Sequence, residues 1–113
     1  GVPKELDSLG FVISHRKKQP QPTFYEAKLY VEQIAAMLGD TFTYESLDSS
    51  DGYPVSQPFE PKRSARVRAS DGSMLGVVGE LRGSVRKTLK LSDSTAAFEL
   101  STRALFARYA AAA

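Results

Sequence analysis

The side chains that could do chemistry in this sequence are few, and their spacing matters more than their number. His15 is the only histidine. It sits among Arg16, Lys17 and Lys18 with no neighbouring carboxylate to orient it as a general base, so it reads as a solvated loop residue. Ser64 and Ser101 have no histidine in a recognisable nucleophile pattern, and cysteine is absent, which removes thiol nucleophiles, disulfides and thiolate metal sites. Histidines and carboxylates do not cluster at metal-ligand spacing, and neither a P-loop nor Gly-x-Gly-x-x-Gly occurs. Gly76-Val77-Val78-Gly79 offers two glycines, but it continues a strand instead of opening a helix. Close backbone packing is the expected reason for them.

The basic residues are the remaining chemistry. Arg66 and Arg68 alternate with Ala65, Val67 and Ala69, the pattern of a half-buried strand whose arginines face solvent or find partners. Arg82, Arg86 and Lys90 recur at helical spacing and would form a stripe able to meet phosphates, or simply a solvated helix face. No aromatic residue interleaves with that stripe as a stacking platform. The wider charge pattern has the same two readings. Residues 29–61 hold Glu32, Asp40, Glu45, Asp48, Asp51 and Glu60 and no base, whereas 62–90 hold eight bases against Asp71 and Glu80. Such a division suits a nucleic-acid face, or two halves that neutralise each other.

Elements that would position these groups are legible. Leu9 to Ser14 is a short apolar run, consistent with a buried strand, and 15–22 is a charged, proline-broken loop. Thr23 and Glu26 have capping-box spacing, and Ala27, Val31, Ile34, Ala35 and Leu38 then recur at helical intervals up to Gly39, a candidate left-handed cap. Lys28 and Glu32 form an i, i+4 pair on another face. Thr41 to Tyr44 alternates like a strand, and 48–54 reads as a loop. Asp71-Gly72 between Ala65–Ala69 and Met74–Gly79 predicts a hairpin. A second helix is expected over Gly83 to Leu91, a last strand near Ala96 to Leu100, and a helix from about Thr102. The predicted order, β-α-β-loop-β-β-α-β-α, points to an α+β fold with a mostly antiparallel sheet flanked by helices.

A chain of 113 residues with 42% hydrophobic and 25% charged residues is expected to fold as one domain, 1–113, around one core. No apolar run reaches the roughly 20 residues that span a bilayer, and no signal-peptide pattern is present. The expectation is a cytoplasmic protein without membrane partners. A start at Gly1-Val2-Pro3 and an end at Ala110 to Ala113 read as an excised fragment of a larger chain.

Three motifs together carry a family resemblance. Phe59-Glu60-Pro61-Lys62-Arg63-Ser64-Ala65, Leu75-Gly76-Val77-Val78-Gly79-Glu80-Leu81 and Ala97-Phe98-Glu99-Leu100 resemble, in order and spacing, the end of the core region of the bacterial phenylalanyl-tRNA synthetase beta chain. That family's pattern is approximately F-H-P-G-R-S-A, I-G-x-x-G-E-L-H-P and A-F-E-L-x-L-x-x-L. Glu60 and Lys62 depart from the first motif, and Arg82-Gly83 stands where His-Pro follows the second.

The resemblance implies a class II aminoacyl-tRNA synthetase-like core in the subunit that does not aminoacylate. In catalytic class II modules the last strand and helix carry Gly-x-Gly-x-x-Arg, which leaves room for ATP and binds its phosphate. Here Glu99, Ser101 and Ala104 occupy those places. A carboxylate repels phosphate and alanine cannot donate to it, while Arg103 is one residue, or about 100° of helix, out of place. Phe98, Leu100, Leu105 and Phe106 are then expected in the core, with Glu99 meeting a base or solvent. The implied segment has no catalytic residue, metal or cofactor of its own, although the complete heterotetrameric enzyme uses ATP and magnesium. Its implied partners are the alpha subunit and tRNA. The competing expectation is a stand-alone RNA-binding module using Arg63, Arg66, Arg82 and Arg86; in the synthetase reading the same four arginines are the candidate nucleic-acid or subunit contacts. An independent small enzyme would need a constellation that the sequence does not offer.

Overall fold

A computed structural model describes residues 8–47 and 59–105. Its elements are β1 (Ser8–His15), α1 (Thr23–Met37), β2 (Thr43–Ser46), β3 (Phe59–Arg68), β4 (Met74–Leu81), α2 (Gly83–Thr88) and β5 (Ser94–Ser101). Residues 102–105 open a further helical turn. The fold is α+β, as the order of elements predicts. The loop expected at 48–54 and the core position of Phe106 lie outside the described residues.

The strands form one antiparallel sheet in the order β1-β5-β4-β3-β2. β4 and β3 are joined by the predicted hairpin. Gly72 takes φ +88, and the Asp71 carboxylate accepts from the Ser73 backbone N–H at 2.9 Å, closing the turn. β1 and β2, separated in sequence by α1 alone, occupy opposite edges, and α1 crosses between them against β5, β4 and β1.

Helix α1 approaches closely because its inward stripe is small. Ala27, Val31 and Ala35 are buried, with Ile34 and Leu38 packed beside them, against Ile13, Val67, Leu75, Val78, Ala96, Phe98 and Leu100. Burying a side chain such as Leu75 or Leu100 contributes roughly 1.5–3 kcal/mol. Alternation along β5 divides the core. Ala96, Phe98 and Leu100 face α1, whereas Ala97 joins Leu47, Phe59 and Leu81 in a second cluster on the other sheet face, covered by Val85 and Leu91 around α2.

The helix ends reveal two differences from the sequence reading. At the start of α1 the capping box does not form. Pro22 is the N-cap, Thr23 is already helical and buried, and no side chain caps the helix. Glu26 is used instead by His15, whose Nε2 lies 2.6 Å from its Oε2. A partner on a separate element has displaced the local one, and His15 has the carboxylate partner that its sequence neighbours lack. At the far end Gly39 takes φ +67 as expected, and the Gly39 and Asp40 N–H groups donate to Ala36 and Ala35, the Schellman arrangement.

Helix α2 stops at Thr88, short of the predicted Leu91. Lys90 adopts φ 56, and the N–H groups of Lys90 and Leu91 donate to Lys87 and Arg86. This is the same Schellman closure, with a lysine where glycine is usual. A lysine in that place gives no sequence signal of a helix end.

Candidate functional site

Two regions concentrate the residues singled out by sequence: the end of β5, and the first half of β3 with its surroundings.

Along β5, Glu99 stands opposite Gly10 of β1 and Val77 of β4, exposed on the face that also carries Ala97. Phe98 and Leu100 are buried as expected. Gly76 explains how closely the strands approach here. A Cβ on Gly76 would lie 1.9 Å from the Glu99 carbonyl oxygen, so only glycine permits this spacing. A Cβ on Gly79 would meet the Ser64 side chain at 2.1 Å. Both glycines serve packing. Ser101 then turns the strand into a helix, its Oγ accepting the Ala104 N–H at 3.2 Å in the manner of an N-cap. Ala104 and Leu105 pack against the main core cluster, and Arg103 is exposed.

β3 is irregular where the first motif lies. Phe59 pairs with Leu81 and Ser64 with Gly79, so the whole of Glu60 to Arg63 stands opposite Glu80 alone. Pro61 has no N–H to give the ladder, which favours such a bulge. The expelled residues form a ridge. Lys62 is exposed with no ion-pair partner among the described residues, and Arg63 Nη1 lies 3.5 Å from Glu80 Oε2 with a side chain 68% exposed. Lys62 keeps a negative φ, so the glycine of the family pattern is not required by the backbone here.

A hollow lies on each side of this ridge. One, of about 370 Å³, is lined by Pro22, Phe24 and Tyr25 from the start of α1, by Ser46, and by Lys62 to Ala65 and Glu80. The other, of about 330 Å³, is lined by Glu60, Lys62, Arg63, Glu80, Leu81, Gly83 and Arg86. Both are open to solvent and shallow, unlike the enclosing clefts of small-ligand sites.

The arginines predicted to act together are therefore only partly brought together. Arg63 and Arg86 share a hollow. Arg86 Nη1 donates to Asp93 at 2.9 Å, and its Nε is buried with no acceptor among the described residues. Arg66 is withdrawn from the surface, its side chain 10% exposed and Nη1 3.4 Å from Glu45; Arg68 reaches the same carboxylate at 3.5 Å. Acidic and basic halves thus neutralise each other at Glu45, one of the two sequence readings. Arg82 is the extended N-cap of α2 and Lys90 follows the helix, so no continuous stripe of Arg82, Arg86 and Lys90 forms.

Sequence reasoning missed the aromatic wall beside Lys62 and Arg63, because Phe24 and Tyr25 lie on a different element far away in the chain. It also took Lys28 and Glu32 as a pair. Instead both meet Tyr44, whose hydroxyl donates to Glu32 at 2.7 Å while Lys28 Nζ sits 4.5 Å from its ring centroid. Burial, and then Glu32, push the Tyr44 phenol above its ordinary range. Among the described residues no group of three or more histidine, cysteine, aspartate or glutamate side chains could hold a metal ion, and no helix is long and apolar enough to cross a membrane.

Comparison with known proteins adds two findings. The family described as "Phenylalanyl tRNA synthetase beta chain CLM domain" matches residues 1–102. A relative, the phenylalanine–tRNA ligase beta subunit of Thermosynechococcus vestitus, is 32% identical over 114 residues, which cover 92% of this chain and 13% of that protein. The chain is thus similar to a small part of the relative's length.

Proposed function

Because the chain belongs to the phenylalanyl-tRNA synthetase beta chain CLM domain family, we propose that it is a non-catalytic core portion of the beta subunit of phenylalanine–tRNA ligase, supporting assembly with the catalytic alpha subunit. The complete heterotetrameric enzyme, in the cytoplasm, would charge tRNA with phenylalanine using ATP and magnesium. This segment would be one class II-like core unit within the larger beta chain and would carry out no chemical step.

One observation supports the reading above the others. The strand-to-helix turn of β5 is kept, capped by Ser101, but the groups it presents do not suit a nucleotide. Laid on the Gly-x-Gly-x-x-Arg pattern, exposed Glu99 would set a carboxylate against phosphate, Ala104 is packed on the core without a donor side chain, and exposed Arg103 is one residue out of register. The turn therefore serves as scaffold, its packing held by Gly76 on one side and Phe98 on the other.

Calorimetric titration of the chain with magnesium ATP tests the inactive site: the expected result is no saturable heat, and saturable binding would refute the assignment of Glu99, Ser101 and Ala104 as a degenerate nucleotide site. Coexpression of the full-length beta chain with the alpha subunit tests assembly. Loss of copurification is expected when this segment is deleted, and unimpaired copurification would refute the supporting role.

A further inference from the structure

Leu9 to Ser14 has the composition of a buried strand, yet β1 forms an outer edge of the sheet, and of its large apolar residues only Ile13 is buried. Leu9, Phe11 and Val12 each remain about half exposed. Phe11 lies between two further rings, its centroid 5.3 Å from that of Tyr30 on α1 and 6.1 Å from that of Phe98 on β5, and Tyr30 is exposed as well. Aromatic side chains carry about 150–250 Å² each, so Phe11 and Tyr30 together leave roughly 150–200 Å² open, and Leu9 and Val12 extend the patch along the strand. A sheet edge that faces water is normally blunted by shortness, charge, proline or a bulge. β2, at the opposite edge, follows that rule with only four residues, Glu45 among them. β1 does not follow it. It is eight residues long, holds no charged residue or proline before His15, and pairs with β5 in unbroken register. Its outer side meets no other strand among the described residues.

We propose that β1 pairs antiparallel with β1 of a second copy of this chain, joining two five-stranded sheets edge to edge. Residues directly opposite each other in such a pair point to the same face, so a two-fold axis through the seam admits only registers that oppose residues of like alternation. The register centred on Phe11 sets Phe11 against its own copy and Leu9 against the partner's Ile13 on the face that bears α1, with Gly10 against the partner's Val12 on the other. Centring on Val12 would instead bring Leu9 onto the partner's His15, which Glu26 already holds. Tyr30 of each copy flanks the seam, so the aromatic cluster continues across it. Charge selects the orientation. Glu5 and Asp7 stand just before β1 in the sequence and Arg16, Lys17 and Lys18 just after it, so antiparallel pairing directs acid to base at both ends, whereas parallel pairing would oppose like charges. The seam uses both β1 edges and leaves only the short β2 edges, so the assembly closes at two. One paired strand and its aromatic flank place the dimer at the low end of specific interfaces, about 1,200 Å² or less, and therefore among the weak ones. The pairing depends on neither the Glu99 to Ala104 turn nor the alpha subunit, so its success or failure leaves the ATP and assembly measurements above unaffected.

Sedimentation equilibrium of this chain from about 1 μM to about 1 mM, a range that covers weak interfaces, should show monomer and dimer in concentration-dependent exchange and no larger species. Because residue 11 meets its own copy, Phe11→Lys and Phe11→Glu should each weaken self-association about 30-fold or more, the scale of a lost central aromatic anchor. An equimolar mixture of the two should restore a dimer, with circular dichroism confirming that each variant is folded. Val12→Lys, at an exposed position on the other face, should weaken the dimer as well, and it carries the test if the Phe11 variants do not fold. Leu89→Lys, exposed at the end of α2, should leave the equilibrium unchanged. A monomer at every concentration, a dimer indifferent to Phe11→Lys and Val12→Lys, folded Phe11 variants that do not recombine, or growth into larger assemblies would each overturn the proposal. So would a full-length beta chain whose β1 amides are protected from hydrogen exchange equally at every concentration, since another segment of that subunit would then cover the edge.

Discussion

Replacing Gly76 by alanine adds one carbon to the middle of the sheet, and its cost can be read from the distances around it. The new Cβ would lie 1.9 Å from the Glu99 carbonyl oxygen and 2.8 Å from the Leu100 Cα, both on the backbone of β5. No rotamer change relieves this contact, because neither atom belongs to a side chain. To reach even a tight contact, β4 and β5 must part by about 1 Å, against a normal strand spacing of roughly 4.7–4.9 Å. Overpacking of this kind costs about 1–3 kcal/mol, and each ladder hydrogen bond stretched in the process costs about 1 kcal/mol more. The expected loss is therefore about 2–4 kcal/mol, a large part of the stability of a small domain. Urea unfolding followed by circular dichroism measures it. The matched comparison is Gly83→Ala, where the Cβ would meet nothing nearer than Arg86 Nη2 at 3.7 Å and the change should be neutral or stabilising. If Gly76→Ala unfolds within about 0.5 kcal/mol of the parent, outside the expected range, the close approach of β4 and β5 is not what holds the glycine.

Other changes have signs fixed by local geometry. Lys90→Gly should stabilise by about 0.5–1 kcal/mol, because it relieves a left-handed conformation at the closure of α2 while adding some unfolded-chain freedom; thermal unfolding would reveal it. Gly83→Pro should raise stability by about 0.4–1 kcal/mol, since it is the first residue of α2 and Arg82 already has φ −56 and ψ 146, a conformation proline accepts before it. The Tyr44 phenol is held protonated above its ordinary range, so the unfolded chain loses this proton first as pH rises. Its contribution to stability is fully present below about pH 10 and is lost progressively as pH rises from there through the raised folded value. Ultraviolet titration should show one of the five tyrosines ionising last, and Tyr44→Phe should remove that late step.

The order of elements was readable because strong periodicity and turn chemistry agree with tertiary packing. Ala27, Val31 and Ala35 announced the inner stripe of α1, Gly39 its end, and Asp71-Gly72 the hairpin. Reading failed where a distant residue supplied the better partner. Glu26 had the correct spacing for a cap but pairs with His15, and Lys28 and Glu32 both turn to Tyr44. Local rules also missed the end of α2, where the backbone hydrogen bonds to Lys87 and Arg86 close the helix with Lys90 in a conformation that its side chain disfavours. For the candidate site, the motifs marked the correct strands. They did not reveal that Arg66 is withdrawn to Glu45, or that Phe24 and Tyr25 stand beside Lys62 and Arg63, because both results depend on how α1 and β2 lie over the bulged strand.

That bulge has a consequence for sequence change. In a regular strand every residue is tied to a face, and inserting or exchanging one affects the neighbours that alternate with it. Glu60 to Arg63 are released from this constraint, while the pairing from Ser64 onward is fixed separately against Gly79, Val78 and Val77. The segment is a place where the chain can exchange one side chain for another of different charge or size without disturbing the core. Glu60 and Lys62, the two departures from the family's first motif, fall inside it, so this short stretch can acquire new surface chemistry while the sheet beneath it stays the same.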